Sequence, residues 1–303
     1  KVGVFNYISS APFFIARDEG YFAEQGLDVE LIDFGSASNE MLPAVMDGKL
    51  DAAGYAVTVA IYNAILQGGD VKFVADKGYQ NPDNCITDAW VARKESLDAG
   101  LITNGSSLSG KKVAFPRGTT IEFTMDLLLD ESGLTQNIFE YSNINDSAAR
   151  IEAVKNKSVD VTFLSEPWVT KAKTSGVEVW MPASKIVPGM SFGGVVFGPT
   201  LLNGDPKIAK AFLVAYLKAV KQFNQGKTDR NVEIIANYTK LSPEDIKVSC
   251  WTNFKADGLI DTQYFQKYQD WALSKGLING EIQLDQIWTS KYLDAALQEL
   301  NKK

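Results

Sequence analysis

The sequence predicts an α/β chain of two similar lobes, each a mostly parallel sheet with helices on both faces. Three observations carry that expectation. The chain repeats itself at a spacing of about 110 residues. Residues 42–54 read as a helix end, a turn and a short buried strand, and residues 151–163 repeat them in register. Ala44-Val45 recurs as Ala153-Val154, and Leu50-Asp51 as Val159-Asp160. Strand-like runs then alternate with helical periodicity through both copies, the pattern of parallel sheets covered on two faces. Finally, 303 residues exceed the usual single-domain size, so each copy has enough chain to bury its own core.

The elements follow in order. Residues 1–7 read as a strand and 12–25 as a helix closed by Gly26 at the C′ position. A strand is expected at 27–33, then a polar turn at 35–38. A helix begins at Ser36 or Ser38, because Pro43 is tolerated only near a helix start. Residues 50–55 form a short strand, 57–67 a helix stopped by Gly68-Gly69, and 71–75 another strand. The stretch 89–93 is strand-like and leads out of the first lobe, and the Ser-, Gly- and Asn-rich segment 97–110 reads as a surface loop. The second lobe repeats the order with strands at 112–115, 139–142, 158–164 and 177–181 and helices at 119–132, 146–156 and 167–175. After a strand at 195–198 the tail is helical. Residues 206–225 bury Ile208, Phe212, Ala215, Leu217 and Val220, and 262–275 and 284–300 carry aromatic stripes with Tyr264, Tyr268, Trp271 and Trp288 that read as packing. In such folds the loops beyond the strand carboxyl ends hold the ligand.

Composition narrows the function. No run approaches the ~20 apolar residues of a membrane span. A net charge of −7 with five scattered arginines disfavours nucleic acid as a partner. The chain has no histidine, which removes Ser-His-Asp and Cys-His nucleophiles, HExxH zinc sites and the commonest general base. Cys85 and Cys250 alone cannot make a four-thiolate metal site; they read as two separate buried thiols, with a single disulfide as the alternative if the chain is exported. No cofactor and no metal are expected.

The run Ala11-Pro-Phe-Phe-Ile-Ala-Arg-Asp-Glu-Gly-Tyr-Phe-Ala-Glu-Gln-Gly-Leu-Asp-Val-Glu30 resembles the opening signature of type II periplasmic-binding proteins of the nitrate/sulfonate/taurine and thiamine-precursor group. Residues 44–52, Gly110-Lys-Lys-Val-Ala114 and Ser165-Glu-Pro-Trp168 match the same group, so the resemblance spans nearly the whole chain. It implies the two-lobed type II periplasmic-binding-protein fold, with lobe 1 at 1–90 plus 191–303, including C-terminal helices packed on it, and lobe 2 at 91–190. It also implies a solute receptor of an ABC importer that encloses a small ligand between its lobes by hinge closure and docks on the transmembrane permease subunits as a monomer. The setting would be periplasmic, or extracellular and membrane-anchored, any export signal having been removed already. Receptors need no nucleophile, only rigid lobes and two states of similar energy.

Candidate ligand contacts lie at strand ends. Tyr7 and Ser10 follow the first strand, an aromatic face with a hydroxyl, unless Tyr7 is structural and Ser9 or Ser10 caps the helix. Ser36 and Ser38 open a helix, where capping and anion binding are compatible. Tyr55 and Thr58 follow the Asp51 strand. Arg117, Gly118, Thr119 and Thr120 form a plausible anion cradle, a tight turn into a helix start with a guanidinium beside it, unless Arg117 is a solvated surface charge. Glu166 would accept from ligand amines or hydroxyls, or serve as a helix-start acid, and Trp168 offers a stacking face. Tyr79, Trp90 and Phe192, near the expected lobe crossings, are further aromatic candidates, with hinge packing as the competing account. Many aromatics and few fixed charges favour a ring-containing or weakly charged organic ligand over a bare inorganic oxyanion. Two other readings stay open: a biosynthetic enzyme of the same fold making a thiamine pyrimidine or a menaquinone precursor, and a ligand-sensing module of a signalling system.

Overall fold

The computed structural model describes residues 1–35 and 40–302. Ten strands run along the chain: β1 (Val2–Val4), β2 (Leu31–Asp33), β3 (Ala52–Ala56), β4 (Lys72–Asp76), β5 (Asp88–Arg93), β6 (Lys112–Ala114), β7 (Glu140–Ser142), β8 (Val161–Ser165), β9 (Val177–Pro182) and β10 (Gly193–Phe197). They form two five-stranded sheets, ordered β2-β1-β3-β10-β4 and β7-β6-β8-β5-β9, each flanked by helices. The repeat read from the sequence is thus a repeat of topology, with β1, β2 and β3 matching β6, β7 and β8. The register matches too: Val2 pairs with Ala52 as Val113 pairs with Val161. Each repeated aspartate anchors the strand beside it, Asp51 N–H donating to Lys1 O at 2.9 Å and Asp160 N–H to Lys112 O at 2.7 Å.

The sheets are mixed, which differs from the mostly parallel expectation. In each, four strands run one way and one runs against them: β10 is antiparallel to β3 and β4, and β5 to β8 and β9. Periodicity reports which residues face the core but says nothing of strand direction.

The chain divides into two compact units. Unit 1 is Lys1–Tyr79, Ser191–Lys247 and Asn253–Lys303; unit 2 is Gln80–Met190 and Val248–Thr252. The first boundary therefore falls at 79/80 rather than 90/91, because β5 is hydrogen-bonded into the second sheet. A second pair of chain crossings brackets Val248–Thr252, which no pattern in the sequence signalled.

In unit 1 the long helix Pro206–Phe223 packs against helices Ala11–Asp18 and Lys291–Leu300. Asp205 caps it, accepting from Lys207 N–H at 2.9 Å, and Pro206 opens it where its missing N–H costs nothing. Its buried stripe contains Phe212, Leu213, Tyr216, Leu217, Val220 and Phe223; Ile208, expected inside, is exposed. Gly20, at a φ of 75°, ends the first helix earlier than expected and starts a separate turn at Tyr21–Glu24. The expected helix 284–300 is likewise broken, into Leu284–Ile287 and Lys291–Leu300. Between them Trp288 is extended, pairing with Phe73 on β4, and Thr289 N–H donates to Phe73 O at 3.1 Å, so the free sheet edge overrides helical periodicity. The helical tail also contains Asp229–Thr239 and Pro243–Val248, whose bounds the sequence pattern does not mark. No described helix is long and apolar enough to cross a membrane.

Candidate functional site

Because β10 runs against its neighbours, its amino end lies at the same sheet edge as the carboxyl ends of β1, β3 and β4. The edge residues of unit 1 are therefore Tyr7 and Ser9 after β1, Thr58 after β3, Lys77 after β4, and Ser191 and Phe192 before β10. Val57 N–H donating to Phe192 O at 2.9 Å holds two of these loops together. Lys77 is only 9% exposed and donates from Nζ to Ser9 Oγ at 2.8 Å. Its stem crosses Gly54 in the middle of β3, where an added Cβ would come within 2.8 Å of both Lys77 Cδ and Phe13. The Ala52-Ala53-Gly54 run of small residues is what lets a lysine pass over the sheet. Ser9 follows from the strand-end reading, but Lys77 does not; its signal is a charged pair Asp76-Lys77 directly ending an apolar strand beside a glycine-bearing one.

Asp76 is fully buried. It accepts from Ser191 Oγ at 2.7 Å, its N–H donates to Gly258 O at 2.7 Å, and Tyr216 OH donates to its carbonyl at 2.7 Å. Burial pushes its pKa up to about 6, against the Ser191 hydroxyl, the Gly78 and Lys255 N–H groups and the Lys255 charge. Two further polar atoms of this region, Ser10 Oγ and Asn6 Oδ1, are buried with no hydrogen-bond partner.

Unit 2 repeats the arrangement. Its edge carries Arg117–Thr120 after β6, Ser165 and Glu166 at the end of β8, and Thr87 and Asp88 at the start of the reversed strand β5. Glu166 N–H donates to Thr87 O at 2.8 Å, the counterpart of the Val57–Phe192 bond. Asp88 accepts from Ser165 Oγ at 2.5 Å and from Gln80 Nε2 at 2.7 Å. Arg117 lies with its guanidinium 3.9 Å from the Tyr141 ring centroid, and burial raises the Tyr141 pKa against that charge.

The sequence-derived contacts divide as follows. Tyr7, Thr58 and Phe192 lie on the unit 1 edge and are partly exposed, as Arg117, Gly118 and Thr119 are on unit 2. Thr58 also caps its helix, accepting from Ile61 N–H at 3.4 Å. Tyr79 pairs with Ser191 and Asn253 in isolated bridges, with the Lys255 ammonium 5.6 Å from its ring centroid. Ser36 and Ser38 lie outside the described residues.

Other candidates are withdrawn into the fold. Trp90 has no exposure; it packs edge-on against Phe115 and Phe163 and donates from Nε1 to Thr124 Oγ1 at 3.2 Å, so it is core. Glu166 is buried with its oxygens accepting from Thr170 N–H, Thr170 Oγ1 and Cys250 N–H at 3.0, 2.7 and 2.9 Å. Burial raises its pKa, against those donors. It fastens the Val248–Thr252 segment to unit 2, with both oxygens engaged by the chain itself and the residue only 5% exposed. Ser10 and Thr120 are buried, and Ser10 makes no capping bond. Tyr55 is buried within β3, and burial raises its pKa against a hydrogen bond with Thr58. Trp168 is half-buried against the unit 2 core, its indole N–H without a partner. The anion cradle also changes character, because Gly118 N–H already donates to Glu122 Oε2 at 2.7 Å.

The cysteines are not separate thiols: Cys85 and Cys250 form a disulfide within unit 2, across 165 residues of sequence. The partners meet because the chain returns to unit 2 at Val248–Thr252, a late crossing that local sequence pattern does not reveal. Among the described residues no group of three or more His, Cys, Asp or Glu is placed to hold a metal ion.

Known structures share this fold. The ligand-binding component of an ABC-type import system from Staphylococcus aureus, solved with zinc bound, superposes with a TM-score of 0.79 at 15% identity, covering 97% of each chain. The aliphatic sulphonate-binding protein SsuA from Escherichia coli gives 0.77 at 16%, covering 95% of this chain and 91% of that one. The nitrate-binding protein NrtA from Synechocystis PCC 6803 gives 0.79 at 16%, covering 100% and 89%. No curated protein sequence matches the chain. The NMT1/THI5-like family model matches residues 8–225, well over half of the sequence, and the chain belongs to that family.

Proposed function

We propose that the chain is the extracytoplasmic solute-binding receptor of an ABC importer, taking up a small organic ligand and delivering it chemically unchanged to transmembrane permease subunits. The observation that carries this reading is the duplicated strand-end edge. Unit 1 offers Tyr7, Ser9, Thr58, Lys77 and Phe192, and unit 2 offers Asp88, Arg117 and Thr119. These are hydroxyls, charges and aromatic faces suited to holding a polar or ring-containing molecule. Family membership and the import-system proteins among its structural neighbours support the same reading. The disulfide fits an oxidising, extracytoplasmic compartment.

An enzymatic reading has two points in its favour. Asp76, a buried carboxylate with a raised pKa beside Lys77, is the kind of group found at catalytic sites, and the desulfurization enzyme DSZB shares the fold at 12% identity. Yet Asp76 is engaged by Ser191 and its backbone is tied on both sides, which suits structure better than proton transfer. Native mass spectrometry of protein purified without added ligand tests the proposal. The receptor reading expects a retained small organic molecule, recovered intact after denaturation; consumption of that molecule over time would refute it.

A further inference from the structure

The start of the Thr120–Asp130 helix in unit 2 has the geometry of an anion site, but the chain fills it with its own carboxylate. Gly118, at a φ of 66°, turns its N–H onto Glu122 Oε2 at 2.7 Å, and Arg117 Nη1 lies 3.8 Å from Glu122 Oε1. The N-cap hydroxyl of Thr119 has committed its proton to Pro116 O at 2.9 Å and keeps only acceptor capacity, which suits a hydrogen-bond donor and not an oxyanion. Glu122 is 4% exposed, whereas the Arg117 side chain is 53% exposed, so the acid is the built-in member of the pair. One turn further on, Asp126 is also buried. Gln136 Nε2 bridges the two acids, 3.0 Å from Asp126 Oδ1 and 3.4 Å from Glu122 Oε1. A capping box uses an acid at this position to take the N–H of the N-cap residue itself. Here the carboxylate reaches the residue before the cap, over the loop that follows β6, where an incoming oxyanion would need that donor. The helix start thus carries two buried acids against one arginine whose face is already stacked on Tyr141.

We infer that Glu122 is a specificity residue that excludes oxyanions from unit 2, so that the ligand presents a neutral or cationic, hydrogen-bond-donating organic group to this edge. The inference rests on the receptor reading and narrows its ligand class. A nitrate, sulfate or sulfonate would have to displace a carboxylate that is already bonded, or sit beside it at the cost of like-charge repulsion.

The test is isothermal titration of wild type, Glu122→Gln and Glu122→Gln/Arg117→Gln with sodium nitrate, sodium sulfate and sodium methanesulfonate. Glutamine keeps the acceptor for Gly118 N–H and removes the charge. None of the three salts is expected to bind wild type below the millimolar range. Glu122→Gln should gain at least about tenfold in affinity for sulfate or methanesulfonate, and adding Arg117→Gln should abolish the gain. Micromolar binding of any of the three by wild type overturns the inference, as does a folded Glu122→Gln that stays indifferent to all of them. Should Glu122→Gln fail to fold, the wild-type titrations decide alone. Native mass spectrometry separates the two levels: a retained organic molecule together with micromolar sulfate binding sinks this inference and leaves the receptor reading intact.

Discussion

Asp76 makes the stability of unit 1 depend on pH in a direction opposite to that of an ordinary paired carboxylate. It ends β4 where the chain is about to leave unit 1, and the Ser191 hydroxyl that it accepts belongs to the segment where the chain returns. Burial raises its pKa from 3.8 to about 6. The native state therefore holds the proton more tightly than the unfolded chain. Stability from this group is fully present below pH ~4 and is lost as pH rises through ~6, because the charged form is penalised only when folded. The separation of the two values corresponds to roughly 3 kcal/mol at neutral pH. Asp76→Asn keeps an acceptor for Ser191 Oγ and cannot ionise. Urea unfolding of both proteins between pH 4 and pH 8 should find them nearly equal at the acid end and the variant more stable by up to about 3 kcal/mol at the alkaline end. Ser191→Ala, which removes a donor that favours the charged form, should move the midpoint of the wild-type curve upward. A difference between wild type and Asp76→Asn that does not change with pH would refute this reasoning.

Other consequences can be measured in the same way. Reducing the Cys85–Cys250 disulfide frees a loop closed over 165 residues; on the chain-entropy account this costs up to about 5 kcal/mol, and a melting temperature unmoved by reductant would contradict it. Glu166→Ala strips the acceptor from Cys250 N–H and Thr170 and should destabilise by about 1–3 kcal/mol without weakening ligand binding in proportion; a selective loss of ligand would restore Glu166 to the site. Gly54→Ala drives a Cβ into Lys77 and Phe13 and should cost about 1–3 kcal/mol, which denaturant unfolding would register. Lys77→Met should preserve the fold, since its stem still packs over β3, and should abolish retention of the co-purifying molecule.

Much of the fold was legible because its signals are local. The repeated Ala-Val and Leu/Val-Asp pairs announced a duplicated unit, and the aspartates turn out to anchor equivalent strands in the two sheets. Gly26 and Gly68, both at positive φ, punctuate the helices where the pattern placed stops. What escaped notice depended on partners distant in the sequence. The direction of β5 and β10, the break at Trp288 and the disulfide are all decided by segments far along the chain. The candidate site divided on the same principle. Tyr7, Thr58 and Arg117 follow from strand ends alone, whereas Trp90 and Glu166 sit at plausible positions but are consumed by Thr124 and by Cys250 N–H. Lys77 was missed because a lysine after a strand looks like solvent until Gly54 shows where its stem runs.

The most direct test of the receptor account is to identify the molecule that co-purifies with the chain and to follow its fate. Mass spectrometry under native and then denaturing conditions should find one small organic compound per chain, unaltered after prolonged incubation, and lost from variants at the edge of either unit. A compound that disappears during incubation, or that binds equally well when Lys77 and Thr119 are both replaced, would contradict the account.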